Sequence, residues 1–264
     1  MLDFEHISVN PKKQTQAWKQ LKEICRKEEG LIESQSRVKI ACISDTHCVH
    51  KNITVPNCDI LLHTGDCTRG GTFEQLKDFL DWFSVQPCTH RVWIAGNHDL
   101  TLHQEFYEKN WNRFHRKYAR QDLVQIQALI HSYDNIIYLE DSLVEVEGLQ
   151  IYGTPWQPTF FQWAFNADRG NDIDSKWASI PSNIDILMTH GPPLGYGDLC
   201  NSGIHAGCAN LLHHIMYQIK PRAHVFGHIH EDVGIWNNGT TSFVNAASCS
   251  VQYQFAHSPK IFWL

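Results

Sequence analysis

Five short polar blocks constrain the fold of this chain, because each follows directly on a run of apolar residues. Four of these runs, 38–44, 59–64, 89–95 and 184–189, have the continuous apolar pattern of strands buried on both faces. The blocks are Asp-Thr-His at 45–47, Gly-Asp at 65–66, Gly-Asn-His-Asp at 96–99, Thr-His-Gly at 189–191 and Gly-His-Ile-His at 227–230. In open α/β sheets the loops at the carboxyl ends of adjacent strands converge, so these polar side chains are expected to meet.

The remaining patterns predict helices around these strands. Residues 72–85 have apolar side chains at helical spacing, and Thr72 with Gln75 forms a capping box at the start. Further helices are predicted within 101–135 and 207–219, and short strands are predicted within 136–152, at 223–226 and at 242–245. This alternation predicts βαβ units and a mainly parallel inner sheet.

Residues 1–36 are polar and charged, unlike the strand-rich remainder. A helix is predicted to start at Asn10-Pro11, since Asn caps helices and Pro suits the first helical position, and to end before Gly30. The sequence contains no internal repeat, low-complexity tract or Pro/Gly linker. We therefore predict an N-terminal extension, 1–36, that is partly helical, followed by one domain, 37–264.

Composition and charge indicate which binding partners and which cellular location to expect. The formal net charge is −6 and no run of Lys and Arg forms a basic face, which argues against duplex nucleic acid as a partner. The sequence has no stretch of about 18 apolar residues, and the nine cysteines include no Cys-x-x-Cys pair. Residues 1–6 lack a basic segment followed by an apolar one, so we expect no signal peptide. We expect a cytoplasmic protein with reduced thiols and no membrane partner, whereas the oligomeric state is left open.

The five blocks supply side chains that bind divalent metal ions. Asp45 and His47 are two residues apart, so in an extended loop both point the same way, and the same holds for His228 and His230. Carboxylate, amide and imidazole ligands together suit divalent first-row metals. Seven such side chains are too many for one catalytic ion with an open position, and they suit two ions that share a carboxylate.

The order D-x-H, G-D, G-N-H-D, a strand-end H and G-H-x-H resembles the calcineurin-like metallophosphoesterase superfamily over about residues 37–264. Five segments are similar to the metallophosphoesterase-domain-containing (MPPED) family: CISDTH (42–47), DILLHTGD (59–66), GTPWQPTFFQWAFN (153–166), ILMTHGPPLG (186–195) and HVFGHIHE (224–231). The resemblance implies an α/β (α+β) fold of four layers, a β-sandwich of two mixed sheets flanked by helices. It also implies phosphodiesterase activity, including on 2′,3′-cyclic nucleotides. Some weakly active vertebrate members have Gly at the position of His228.

The resemblance assigns a role to each candidate ligand. It implies a first ion on Asp45, His47 and His230, a second on Asn97, His190 and His228, and Asp66 as the bridge between them. Manganese is the expected metal, with iron, zinc and magnesium as alternatives, because the ligand types suit all four.

The non-ligand site residues are expected to act on the substrate. His98 is expected to face the phosphoryl group and to donate a proton to the leaving alkoxide. Asp99 is expected either to orient His98 through its other ring nitrogen or to cap a helix. Beside Asn97 and His98, the substrate-binding candidates are Trp156, in an aromatic loop suited to stacking on a nucleobase, and Arg169, for a phosphate. The alternative for Trp156 is packing in the core, and the alternative for Arg169 is a solvated position on the surface.

The sequence thus predicts a dinuclear phosphodiesterase that hydrolyses a small phosphoester, with a nucleotide or cyclic nucleotide as the expected substrate, by attack of metal-activated hydroxide. Two alternatives stay open. One is a weakly active nucleotide-binding or scaffold protein, and the other is a phosphoprotein phosphatase of the same superfamily.

Overall fold

The continuous apolar runs form the central strands of two sheets. A computed structural model describes residues 10–21, 26–27, 38–116 and 119–264. Its strands are β1 (Arg26–Lys27), β2 (Lys39–Ile43), β3 (Cys58–Thr64), β4 (Cys88–Ile94), β5 (Ile137–Tyr138), β6 (Ser142–Val146), β7 (Leu149–Thr154), β8 (Gln157–Pro158), β9 (Asn166–Ala167), β10 (Ile186–Thr189), β11 (Ala223–Phe226), β12 (Gly234–Asn237), β13 (Ser242–Asn245) and β14 (Lys260–Trp263). The helices are α1 (Pro11–Leu21), α2 (Phe73–Ser84), α3 (Gln104–Phe114), α4 (Leu123–His131), α5 (Asn171–Ala178) and α6 (Ala209–His214).

The two large sheets are both mixed. The five-stranded sheet has the order β14-β2-β3-β4-β5, in which β2 to β5 are parallel and β14 is antiparallel at one edge. The seven-stranded sheet has the order β1-β12-β13-β11-β10-β7-β6, with a parallel centre formed by β13, β11, β10 and β7. A short parallel pair, β8 with β9, stands apart from both.

The sheets pack face to face, with helices on their outer faces. Alternate residues of β2 show this, because Ile40 and Cys42 are buried between the sheets whereas Ala41 and Ile43 are buried under helices. Helices α2, α3 and α4 cover the five-stranded sheet, and α1, α5 and α6 cover the seven-stranded sheet. Every central strand is therefore buried on both faces, as its apolar run predicts. The four-layer sandwich implied by the family resemblance is confirmed.

Helix α2 begins as its capping pattern predicts, with one difference. The Thr72 hydroxyl accepts a hydrogen bond from the Gln75 N–H at 3.3 Å. The Gln75 side chain does not reach back to Thr72, and instead accepts from the N–H groups of Arg69 and Gly70 at 3.2 and 3.1 Å. It thereby fixes the loop that precedes the helix.

The predicted start of the N-terminal helix is confirmed. The Asn10 carboxamide oxygen accepts from the Lys12 N–H at 2.9 Å, and Pro11 is the first helical residue. The prediction that this helix continues to Gly30 is wrong, because Arg26–Lys27 form strand β1, which pairs antiparallel with β12. The helix predicted at 207–219 is α6 followed by a π-helical turn, Ile215–Ile219, and it ends at Lys220 with a φ of 51°.

Helix α1 is fixed to the loop that follows β10. The Gln14 side chain is buried, where Nε2 donates to the Gly207 carbonyl and Oε1 accepts from the Ala209 N–H, each at 3.0 Å. Trp18 is buried against Gly195, where a Cβ would lie 2.3 Å from the indole ring. Helix α1 is thus an integral part of the layer that covers the seven-stranded sheet. Each helix in the described ranges is too short or too polar to cross a bilayer.

Candidate metal centre

The candidate site lies where the carboxyl ends of strands from both sheets meet. The loops after β2, β3 and β4 come from the five-stranded sheet, and the loops after β10 and β11 come from the seven-stranded sheet. Backbone hydrogen bonds join the first two loops, since the Asp45 N–H donates to the Gly65 carbonyl at 2.9 Å and the His47 N–H to the Asp66 carbonyl at 3.0 Å. The polar blocks therefore converge, as the position of each after a strand predicts.

Four candidate ligands have left-handed backbone conformations that side chains rarely adopt. The φ angles are 50° at Asp45, 40° at His47, 55° at Asp66 and 68° at His228. Each such conformation costs about 1–3 kcal/mol and persists only where the surrounding structure imposes it. Their concentration at one sheet edge is typical of a functional site.

Two glycines of the polar blocks let the backbone pass close to a carboxylate. A Cβ at Gly96 would lie 2.3 Å from the Asp66 Oδ1, and a Cβ at Gly227 would lie 2.0 Å from the Asp45 Oδ2. Neither position has room for a methyl group, because the atoms it would meet belong to buried carboxylates. The glycines thus bring Asn97 and His228 next to the two aspartates.

Asp45, His47 and His230 form the first cluster of candidate ligands. One donor atom from each lies within 4.8 Å of the other two. The His230 Nε2 lies 3.2 Å from the Asp45 Oδ1 and 3.4 Å from the His47 Nε2. Asp45 and His47 are buried, so this group of polar atoms has little access to water.

Asp66 links that cluster to a second one. Its Oδ2 lies 3.7 Å from the His47 Nε2 on one side and 3.4 Å from the His190 Nε2 on the other. The His190 Nε2 also lies 3.0 Å from the Asn97 Oδ1. One ligand atom each of Asp45, Asp66 and His190 likewise lies within 4.8 Å of the other two.

The rings of three histidines are held so that Nε2 faces the carboxylates. The Nδ1 atoms of His47, His190 and His230 lie 3.2, 2.8 and 3.0 Å from the backbone carbonyls of Thr68, Thr64 and Ser250, respectively. In these pairs the ring N–H donates to the carbonyl, which leaves Nε2 free to act as a ligand. Metal-binding histidines have this arrangement in most proteins, so the residues fit a divalent metal centre.

Asp45 and Asp66 are ionised. His190 and His230 each carry a second ring proton and therefore a positive charge. Burial raises the pKa of Asp66, but the positive charges of His190 and His98 outweigh it and hold the pKa well below its usual range. Conversely, burial lowers the pKa of His190, yet the Asp66 carboxylate raises it to about 9. His230 likewise has a pKa of about 9, because its hydrogen bond to Asp45 outweighs burial.

The other two histidines are neutral. Burial lowers the pKa of His47 to about 4 and that of His228 to about 3. These two imidazoles are therefore available to a metal ion at neutral pH, whereas His190 and His230 must first lose a proton.

Metal binding at pH 7.5 is expected to release about two protons per chain from histidines, one each from His190 and His230, in addition to any proton that metal-bound water gives up. Isothermal titration calorimetry in buffers of different ionisation enthalpy measures this number directly. His190→Gln removes one of the two protonated groups and should lower the number by about one. Release of fewer than about 0.5 protons from the unmodified protein would contradict these protonation states.

His228 is near the clusters but its ring stands apart from them. Its N–H donates to the Asp45 Oδ2 at 2.9 Å. Its ring lies 5.0 Å from the His190 ring and 5.6 Å from the Phe160 ring, between centroids. No ligand atom of His228 belongs to the clusters found in the described part of the chain. As a metal ligand it stays a prediction.

His98 lies on the accessible side of the centre. Its N–H donates to the Asp66 Oδ1 at 2.7 Å, and its ring centroid lies 4.2 Å from that of Trp163 and 4.7 Å from that of His47. The ring is only partly buried. It also belongs to a third group within 4.8 Å, with His47 and Asp66, so its position is compatible with a contact to either a metal or a substrate.

The predicted contact between Asp99 and the His98 ring is wrong. The Nδ1 of His98 lies 3.2 Å from the Arg69 carbonyl. Asp99 is buried, and its carboxylate accepts from the N–H groups of Cys67, Thr68 and Gly96 and from the Thr68 hydroxyl. It precedes a 3-10 turn, Leu100–Leu102, without a side-chain capping bond. Asp99 therefore ties two site loops together rather than orienting the ring.

The contacts of the Trp156 side chain are with residues other than the candidate ligands. Its Nε1 donates to the Asp141 Oδ2 at 2.9 Å, and the Lys176 ammonium lies 3.6 Å from its ring centroid. The substrate contact predicted for Trp156 is not supported. From the same aromatic stretch, Trp163 and Phe160 are the residues that reach site histidines.

Arg169 has a structural position. Its guanidinium donates to the carbonyl oxygens of Ala206 and Gly207 and to the Gln14 Oε1. These hydrogen bonds hold α1 against the loop after β10. A phosphate could bind the Arg169 guanidinium only by displacing them. The predicted phosphate contact is therefore wrong for this conformation.

Two residues at the centre were not predicted from the sequence. The Tyr253 ring lies 4.6 Å from the His47 ring and 5.8 Å from both the His98 and His230 rings. Arg69 donates from Nε to the His47 carbonyl at 3.1 Å. Both lie in loops that follow parallel strands, β13 and β3. The convergence of loops at the carboxyl ends of parallel strands, which indicated the other blocks, could therefore have indicated these two residues.

Comparisons with known proteins agree with this geometry. A family model described as calcineurin-like phosphoesterase matches residues 38–232. Human metallophosphoesterase domain-containing protein 1 is 42% identical over 228 residues, which are 84% of this chain and 69% of the human protein. These matches confirm the resemblance found in the sequence.

Two more distant matches are a named relative from Nostoc and a solved structure. A protein of Nostoc sp. named 3′,5′-cyclic-nucleotide phosphodiesterase is 24% identical over 208 residues, 76% of this chain and 65% of that protein. One solved structure superposes with a TM-score of 0.53 at 15% identity and covers 85% of this chain and 98% of its own. This last likeness concerns the fold alone.

Proposed function

This chain belongs to the calcineurin-like phosphoesterase family, and we propose that within it the protein is a two-metal phosphodiesterase that hydrolyses a small phosphoester, in particular a nucleotide or cyclic nucleotide. The observation that carries the proposal is the position of Asp66. Its Oδ2 lies between His47, at 3.7 Å, and His190, at 3.4 Å, so one buried carboxylate faces both ligand clusters. A shared carboxylate is what a dinuclear centre requires.

In the proposed centre Asp45, His47 and His230 hold one ion, and Asn97, His190 and His228 hold the other. Manganese suits this ligand set, as do iron, zinc and magnesium. When bound, two such ions lower the pKa of bound water and neutralise the charge on a phosphate. The chain contributes the fixed direction of each imidazole, through the carbonyl groups of Thr64, Thr68 and Ser250.

His98 is the proposed proton donor to the leaving oxygen. Its backbone is fixed by the Asp66 carboxylate, and its Nδ1 is paired with the Arg69 carbonyl. The other ring nitrogen, Nε2, has no partner in the described part of the chain. Once protonated, an imidazole fixed at Nδ1 and open at Nε2 can give its Nε2 proton to an alkoxide, or stabilise charge on the phosphoryl oxygens.

A nucleoside is the proposed organic part of the substrate because aromatic rings border the centre. Phe160 lies against His228, Trp163 against His98 and Tyr253 against His47. Phe160 is 50% exposed and Tyr253 is 39% exposed, so both rings offer surface to a ligand. Flat bases stack on such rings, which agrees with the name of the Nostoc relative.

Metal dependence is the test of the proposal. The purified protein is expected to contain about two divalent ions per chain, and to lose hydrolysis of bis-p-nitrophenyl phosphate and of cyclic nucleotides in chelator. Activity should return with manganese, and a panel of iron, zinc and magnesium would rank the metals. Undiminished hydrolysis by metal-free protein would contradict the proposal. Tight nucleotide binding with two ions and no turnover would instead favour a nucleotide-binding protein.

A further inference from the structure

We propose that Cys58 and Cys88 are a reactive thiol pair that small disulfides, such as oxidised glutathione, convert reversibly into a disulfide bond. Cys58 is the first residue of β3, and Cys88 is the first residue of β4. Both lie at the amino ends of their strands, whereas the metal centre lies at the carboxyl ends. The length of β3, seven residues at about 3.3 Å each, separates the two regions. The inference therefore goes beyond the proposed function and does not depend on it.

The register of the five-stranded sheet places the two thiols side by side. Strands β3 and β4 are parallel neighbours, and Cys58 is the direct partner of Cys88. Paired residues of adjacent strands lie on the same face of a sheet with Cα atoms about 5 Å apart, and disulfide bonds span about 4.4–6.8 Å. The Cys58 N–H also donates to the Pro87 carbonyl at 3.2 Å, which joins the two strand starts. A disulfide bond can therefore form without a shift of either strand.

Cys58 is the thiol of the pair that ionises first. The hydrogen bond that the Cys88 thiol donates to its sulfur lowers the pKa of Cys58, with smaller contributions from the Ala41 N–H and the Lys39 charge, and together these outweigh burial. The same hydrogen bond and burial raise the pKa of Cys88. Because a thiolate is the nucleophile in thiol–disulfide exchange, Cys58 is the attacking residue and Cys88 is the resolving residue.

Cys58 differs in this respect from the other cysteines. Among the eight cysteines in the described ranges, it is the one whose pKa is lowered. Burial raises the pKa of the six cysteines outside the pair, which are Cys42, Cys48, Cys67, Cys200, Cys208 and Cys249. Both thiols of the pair are only partly buried, so a small disulfide has access to this end of the sheet. Oxidation is therefore expected to be selective for this pair.

The reaction consists of two exchange steps. The Cys58 thiolate attacks one sulfur of oxidised glutathione, so that a mixed disulfide forms and one glutathione thiolate leaves. The Cys88 thiol gives its proton to solvent, and its sulfur then attacks the Cys58 sulfur and releases the second glutathione. The protein loses two protons and two electrons, and oxidised glutathione becomes two molecules of reduced glutathione. An excess of reduced glutathione reverses both steps.

Peptide mapping of the full-length, folded protein tests the pair. After incubation with oxidised glutathione at pH 7.5 and alkylation of the remaining thiols, the main cross-link is expected to join Cys58 to Cys88, and reduced glutathione should remove it. Cleavage before Asp59 separates Cys58 from Cys67, so the two can be told apart. Cys88→Ser should stop at the mixed disulfide and carry one glutathione at Cys58. Cys200→Ser is the matched control, because it removes a partly buried thiol outside the pair and should leave the link intact.

The rate of alkylation gives a second readout on the reduced protein. At pH 7.5 iodoacetamide should modify Cys58 at least about tenfold faster than Cys200, whose pKa is raised to about 11, because the larger thiolate fraction outweighs its lower nucleophilicity. Both residues are partly buried, so access to the reagent is comparable.

Three results would overturn the thiol pair. These are glutathione that stays on Cys58 of the unmodified protein, a main cross-link between other cysteines, and alkylation of Cys58 no faster than that of Cys200. Hydrolysis of bis-p-nitrophenyl phosphate by the same metal-loaded protein reports on the proposed function separately. Its absence would overturn that function and leave the thiol pair standing.

Discussion

Asp66→Ala is expected to abolish turnover, with a loss on the order of 10⁴-fold or more, and to reduce the occupancy of both metal positions. The Asp66 Oδ2 faces both His47 and His190, so its removal takes a ligand from each cluster. Its Oδ1 also accepts the His98 N–H at 2.7 Å, so the proton donor loses its anchor as well. Elemental analysis and hydrolysis of bis-p-nitrophenyl phosphate measure the two effects.

His47→Ala is the comparison for that variant, because His47 belongs to one proposed ion only. It should weaken one position and leave the other filled. Asp66→Asn keeps the shape of the side chain and separates lost charge from lost packing. Near-normal turnover of Asp66→Ala with two bound ions would show that Asp66 does not bridge the centre.

His98→Ala has the second largest expected effect, a loss of turnover on the order of 10²–10⁴-fold with both ions retained. The loss should depend on the leaving group. A nitrophenolate departs without a proton, so its ester should suffer less than a cyclic nucleotide, whose leaving ribose oxygen needs one. The measurement is kcat for both substrates, beside the metal content of the variant.

Other outcomes for His98→Ala each have a structural meaning. Equal losses on both substrates would assign His98 to charge stabilisation on the phosphoryl oxygens. Loss of an ion would make it a ligand, which its proximity to His47 and Asp66 permits. Trp163→Phe keeps a ring against His98 and controls for lost packing beside it.

The sequence was sufficient for the central architecture because burial on both faces leaves a continuous apolar run. Residues 59–64 and 89–95 became β3 and β4, within one residue at each end. The polar blocks after these runs met because parallel strands end at a common edge. Position after a strand therefore brought Asp45, Asp66 and His190 together, although they are far apart in the chain.

The sequence was insufficient where a side chain finds its partner across the fold. Arg169 donates to Gln14, and Trp156 to Asp141, contacts that no local pattern encodes. Asp99 follows His98 directly, which suggests a catalytic partner. Its carboxylate instead accepts hydrogen bonds from the backbone N–H groups of Thr68 and Gly96. Short elements without periodicity were also missed, among them α5, β12 and β14.

The two sheets each supply part of the centre, and this has a consequence for folding. Asp45 and His230 approach each other although they are 185 residues apart in the chain. An ion held between them would act as a cross-link that closes this long loop, much as a disulfide does, but one that forms only when both sheets are in place. Metal supply would thereby govern how firmly the two halves of the sandwich stay together, in addition to whether the protein can carry out chemistry.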